Sequence, residues 1–140
     1  MPIRPELRNF YPIDWPQLSA VIRFERAGGR CERCGRPHGH IIVCLDDGSW
    51  YDVQADAWRT DRGQTLRSVP DLSSARLSVP ILATCHREHD PSRNGDADLA
   101  AWCQRCHLEH DRPEHLRRRR LTYLRRRAIG DLFLGTYPAI

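Results

Sequence analysis

Cys103-Gln104-Arg105-Cys106-His107 repeats, 68 residues on, the spacing of Cys31-Glu32-Arg33-Cys34. Read together, these two stretches decide the fold. Each Cys-x-x-Cys pair offers two soft thiolates on a tight turn, and two pairs complete one tetrahedral zinc with Zn–S distances of about 2.3 Å. Unrelated buried cysteines would have no reason to recur twice at one spacing. Four thiolates leave zinc no open position, so the metal reads as a structural staple and not as a reactive centre. It ties the start of a module to its far end, and its binding free energy adds directly to folding. His38 and His40 lie close enough to the first pair to be alternative ligands. Cys44 has strand spacing and reads as a small core residue.

Working outward, residues 1–13 carry three prolines and read as an extended arm. Asp14 is placed to cap a helix with Pro16 in its first turn, running through Leu18, Val21, Ile22 and Phe24 to a stop at Gly28-Gly29. Leu18, Val21 and Ile22 give it one short apolar face to pack on the zinc module. Ile41–Leu45 and Trp50–Val53, joined by Asp46-Asp47-Gly48-Ser49, read as a β-hairpin whose turn is set by Asp-Gly. Residues 54–78 read as an insertion, with a short helix near Ala55–Trp58 followed by a long loop. Val79–Cys85 is a strand candidate that Pro80 confines to an early or edge position. His86 to Asn94 is a polar loop, and Ala97–Trp102 and Arg105–Asp111 look helical around the second cysteine pair. Pro113 opens a basic C-terminal helix over 113–133, regular to about Ala128 and interrupted by Gly130. Leu121, Leu124, Ala128 and Leu132 form its apolar stripe.

A mean hydropathy of −0.63 and the absence of any run near the ~20 apolar residues of a membrane span point away from the bilayer. No apolar signal region opens the chain, so the expected compartment is the cytoplasm. Thiols stay reduced there, which favours metal over disulfides for paired cysteines. The 22 basic residues are all arginine, a side chain that grips phosphate in bidentate fashion. Residues 112–140 hold eight of them against Glu114 and Asp131, whereas residues 1–111 hold fewer arginines than acids. The excess positive charge therefore sits at the C-terminal end, as expected of a segment that meets a polyanion.

Arg26-Ala27-Gly28-Gly29-Arg30-Cys31-Glu32-Arg33-Cys34-Gly35, a strand ending in His86, and Asp98-Leu99-Ala100-Ala101-Trp102-Cys103-Gln104-Arg105-Cys106-His107 together resemble the HNH endonucleases. The likeness covers roughly residues 20–115 and is nearest to phage and bacterial members that carry two zinc-binding cysteine pairs. It implies a small ββα-metal module; with the structural four-cysteine zinc, the flanking N- and C-terminal helices read above and no linker between them, the chain reads as α+β in a single domain over 1–140. It further implies metal-dependent hydrolysis of DNA phosphodiester bonds, as an endonuclease or nickase. Carried over by position, His86 is the general base and His107 binds Mg²⁺ or another divalent cation. The chemistry has its own logic, since activating water needs a base near neutral pKa and the phosphate needs a cation.

The chain departs from the family pattern at three places, one of them the long hairpin-to-strand interval that holds the insertion at 54–78. Cys85 stands where a hard metal ligand is usual, which leaves His89 or Asp90 to take that role; Asp98 stands where the family has a loop-bracing asparagine. These departures motivate an alternative function, a catalytically weakened HNH scaffold that binds nucleic acid or serves as an inhibitor or subunit within a larger nucleoprotein complex. Taking Leu121 as the buried direction, Arg119, Arg120, Arg126 and Arg127 form the outward face of the last helix, suited to the backbone of double-stranded DNA.

Overall fold

The computed structural model describes residues 3–133, with side chains through residue 128. The described residues fall into two units, one ending at His107 and the other beginning at Leu108.

In the first unit, a 3-10 turn at Pro5–Phe10 precedes α1 (Trp15–Ala20), which continues as a wider-wound turn, Val21–Arg26. The expected extended arm is thus partly coiled: Pro5 fixes the φ of a turn's first position and Leu7 N donates to Arg4 O at 2.9 Å. Asp14 does occupy the N-cap position of α1, though its side chain makes no capping hydrogen bond. The widening is visible in Ala27 N donating to Ile22 O at 3.1 Å, five residues back, and Gly29 N closes the end on Arg23 O at 2.9 Å. Gly28 and Gly29 both have positive φ, as a left-handed helix end requires. The buried face is Ile22 with Trp15 and Leu18 beside it, while Val21 points to solvent.

Four short strands follow: β1 (Ile42–Cys44), β2 (Trp50–Asp52), β3 (Ala57–Arg59) and β4 (Arg76–Ser78), forming one antiparallel sheet in the order β3-β2-β1-β4. The expected hairpin is β1–β2, with Cys44 opposite Trp50. Its turn is held by Asp47, whose carboxylate accepts from Ser49 N at 2.8 Å and Ser49 Oγ at 3.0 Å. The insertion is where expectation fails. Residues 57–59 form a strand and not a helix, pairing Tyr51 with Trp58 and Asp52 with Ala57, and residues 76–78 add a strand on the other edge. Aromatic Trp58 packs across the pair on Tyr51 with ring centroids 5.4 Å apart, a cross-strand contact that overrides the local helical preference of alanine.

β5 (Leu82–His86) and β6 (Leu99–Cys103) form a separate antiparallel pair, in register from Leu82–Cys103 to His86–Leu99. The helix expected at Ala97–Trp102 is therefore a strand. All five residues of β6 are buried. A short apolar run covered on both sides carries no period from which to read its type, and pairing with β5 decides it. Leu99 and Ala101 pack on Ile22, while Ala100 and Trp102 join Leu82, Cys85 and the four paired cysteines in the largest buried cluster.

α2 (Gln104–Phe133) begins immediately after β6. Pro113, expected to open a helix, instead lies inside this one, where it lacks the N–H that would bond back one turn. Gly130 does not interrupt it. In the second unit, His115 through Ala128 are all exposed, so the Leu121–Leu124–Ala128 stripe is not a buried seam; the Leu132 side chain lies outside the described residues. No helix among the described residues is long and apolar enough to cross a membrane.

Candidate functional site

The first cysteine pair sits in a knuckle closed by Cys31 N donating to Arg36 O at 3.0 Å and Gly35 N donating to Cys31 O at 2.8 Å. Gly35 has φ 77°, a conformation that favours glycine. The knuckle is pinned to β6 by Glu32: its N–H donates to Ala101 O at 2.9 Å and its carboxylate accepts from Ala101 N at 2.8 Å. Arg26 grips the same carboxylate with two nitrogens, at 2.9 and 2.8 Å, and reaches Leu99 O at 2.9 Å. These bonds bring the knuckle against the junction of β6 and α2, which carries the second pair.

Cys31, Cys34, Cys103 and Cys106 are each at most 3 % exposed, and their sulfurs lie within 4.8 Å of one another. Cys34 and Cys103 sulfurs are 3.7 Å apart. A regular tetrahedron with metal–sulfur bonds of about 2.3 Å has sulfur–sulfur edges of about 3.8 Å, so the spacing suits a metal such as zinc. The donor set is soft, closed and supported. Cys103 N donates to Cys31 Sγ at 3.3 Å, and the buried Arg36 donates to Cys34 Sγ at 3.2 Å. Hydrogen bonds from the Cys103, Cys106 and Cys34 thiols, joined by that Cys103 N–H, hold the Cys31 thiol below its ordinary pKa against the effect of burial. Arg36 is pushed the other way: burial disfavours its charge, but Cys34 and its neighbours outweigh that and raise its pKa. His38 and His40 are not part of this group. His38 Nδ1 accepts from Leu82 N at 2.9 Å, pinning the start of β5, and His40 Nδ1 lies 2.7 Å from His38 O. Cys44 is buried with Ile42 and Trp50, as a small core residue.

His86 ends β5. Its ring is stacked on Trp15, with centroids 5.3 Å apart and planes at 11°, and meets Tyr11 edge-on at 5.4 Å. Nε2 lies 3.0 Å from Asn94 Oδ1. The amide nitrogen of Asn94 donates to Pro91 O at 3.0 Å and to Phe10 O at 3.3 Å, which fixes the amide with its oxygen toward the ring. The imidazole must then donate from Nε2, and the neutral ring carries its lone pair on Nδ1. Nothing in the sequence marked Tyr11, Trp15 or Asn94 as neighbours of His86; they come from an N-terminal turn and a loop whose paths no local pattern specifies.

The loop between β5 and β6 is braced by Asp98. Its backbone oxygen accepts from Arg87 N at 2.8 Å, its Oδ2 accepts from Gly95 N at 3.2 Å, and its Oδ1 pairs with Arg93 at 2.8 Å. Asp90 turns the chain, with Oδ1 accepting from Ser92 N at 2.9 Å and Ser92 Oγ at 2.6 Å. These bonds from Ser92 lower its pKa. His89 has φ 58° and donates its N–H to His86 O at 3.2 Å. Cys85 is buried and donates its thiol to Ala100 O at 3.3 Å. His107, half-buried, stands in the first turn of α2, one residue past Cys106. Among the described residues, no group of three or more His, Cys, Asp or Glu ligand atoms within 4.8 Å includes His86, His107 or Asp90.

Within the second unit, Arg119, Arg120, Arg126 and Arg127 are all exposed. Arg127 lies over the Tyr123 ring at 5.7 Å. Glu114 accepts from Arg117 and Arg118, which pulls its carboxyl down to about 2. No protein-family model, curated protein or solved structure matches this chain.

Proposed function

We propose that this chain is a metal-dependent nuclease of the HNH type, cutting or nicking double-stranded DNA. One observation carries the reading: a histidine at the end of one strand, a loop, a second strand running directly into a helix, and a histidine in that helix's first turn beside the sulfur cluster. His86 Nδ1 takes a proton from water as the water oxygen bonds to phosphorus. The bond to the leaving oxygen then breaks, and that oxygen takes its proton from solvent. Asn94 holds the ring in the tautomer this step needs, and Asp98 braces the loop that carries Asn94. A divalent cation such as Mg²⁺, with His107 and either His89 or Asp90 as its protein ligands, would offset the charge that builds on the phosphate. Such cations keep much of their shell as water and phosphate oxygens and need few protein ligands. Arg119, Arg120, Arg126 and Arg127 would meet the DNA backbone.

The test is nicking of supercoiled DNA with Mg²⁺, Mn²⁺, Ni²⁺ or Zn²⁺. His86→Ala is expected to lower the rate about 10²–10⁴-fold, the usual worth of a general base. An unchanged rate, or no cleavage by wild type with any of the four metals, sinks the reading.

Two observations favour a second reading, a weakened scaffold that binds nucleic acid or acts as a subunit of a larger nucleoprotein complex. Tyr11 and Trp15 cover His86, and the Cys85 thiol is committed to a backbone carbonyl. It predicts DNA binding by wild type, unchanged in His86→Ala and His107→Ala, with no cleavage.

A further inference from the structure

The first knuckle has a second side. An open cleft of about 470 Å³ lies against it, and four arginines reach its walls: Arg30 and Arg33 from the knuckle, Arg59 and Arg62 from the segment after β2. The close approach of that segment depends on Gly63. Its φ is 84°, and a Cβ there would stand 2.7 Å from Cys34 O. Glycine therefore lets the turn at Thr60–Gln64 lie directly on the knuckle, which is what gathers the four guanidinium groups.

Two of the four are oriented in advance. The Asp52 carboxylate, 2 % exposed, meets Arg30 at 3.2 Å and Arg59 Nε at 2.8 Å, and Arg59 also donates to Gly63 O at 3.0 Å. Arg30 reaches Gly35 O at 2.8 Å and Gln54 Oε1. One buried carboxylate thus positions two cations and neutralises one. Arg33 keeps a nitrogen on Cys106 O at 3.3 Å, and Arg62 stands exposed at the rim. The other acid on the wall, Glu32, has its carboxylate gripped by Arg26, which is not part of the cleft. The cysteine floor would be dianionic around a divalent metal, but Arg36, also outside the cleft, donates to Cys34 Sγ from its own side. Four guanidinium groups stand against the carboxylates of Asp52 and Glu32 in the lining, and their donors are planar forks suited to phosphate.

We propose that this cleft is a binding site for a backbone phosphate of a nucleic acid, separate from the arginine face of α2. It needs the ligand to be a phosphodiester polymer but makes no use of the chemistry proposed for His86. Segment 54–78 thereby acquires a purpose: it adds two arginines to the two that the knuckle supplies.

The test is equilibrium binding of a fluorescent DNA duplex to zinc-loaded protein, without Mg²⁺, across a range of salt. Arg33→Gln with Arg62→Gln should weaken binding roughly tenfold, and the slope of log K against log salt should fall by about 0.9 for each lost phosphate contact. Arg62→Glu, a single change at an exposed rim, provides a reading if the double variant loses zinc. Affinity and slope like wild type in a variant with full zinc content and unchanged circular dichroism would overturn the proposal. So would complete loss of binding on replacing Arg119, Arg120, Arg126 and Arg127 by Gln with no effect of the cleft changes. Because cleavage plays no part in this measurement, an inactive wild type would sink the nuclease reading and leave the cleft result standing.

Discussion

Asp52 shows how much one side chain can organise. Burial alone would raise its pKa, but the hydrogen bonds and charges of Arg30 and Arg59 outweigh burial and lower it. A carboxyl whose folded pKa is depressed contributes stability above its unfolded value and loses it as pH falls through that range. Asp52→Asn should therefore cost about 2–3 kcal/mol at neutral pH, less than a fully buried pair because both arginines are partly exposed. The gap between variant and wild type should close below about pH 4. Urea unfolding of both proteins at several pH values checks it; a gap that persists in acid would mean that packing, not charge, is lost. Asp98 makes the complementary point. It replaces an expected amide, yet its carboxylate still braces the loop, because Gly95 N and Arg93 both present donors to it.

Among the elements, β6 is the one on which both the sulfur cluster and Ile22 pack, and it was the least legible. Leu99, Ala100 and Ala101 are 0 % exposed, and Leu99 packs on Ile22. Leu99→Ala should lower unfolding free energy by about 3 kcal/mol, the ordinary cost of a core cavity at a leucine, measurable by urea titration. A cost below about 1 kcal/mol would mean that α1 closes over the gap. Alanine-rich runs favour helix locally, so Ala97–Trp102 pointed to the wrong element until the strand partner, 15 residues back at Cys85, was known. β3 and β4 failed for the same reason: three-residue strands owe their existence to β2 and β1, not to their own composition. The cysteine pairs, the Asp-Gly hairpin and the glycine stop after Arg26 were readable because each rests on local geometry. Of the site, the strand-end position of His86 was legible; its tautomer was not, since that is set by Asn94 from a loop.

At the scale of the whole molecule, a metal held by the four buried cysteines would govern stability. Structural zinc in small peptides contributes about 10–16 kcal/mol at neutral pH, as much as a typical domain's entire margin of about 5–15 kcal/mol. Chelation with EDTA should therefore unfold the first unit outright, read as loss of near-UV circular dichroism from the buried Trp50 and Trp102. The ligands must be thiolates, so the metal should be lost more readily as pH falls. A native near-UV spectrum in protein shown to be free of metal would refute the assignment of a structural staple. The same cluster sets a timetable for synthesis. Its first two cysteines are followed by 68 residues before the third is made, and at about 5–20 residues per second a ribosome needs roughly 3–14 s to cover that stretch. For about that long, once the first pair has left the exit tunnel, the nascent chain would display half a metal site, and a metal-held fold would wait until Cys106 has emerged as well.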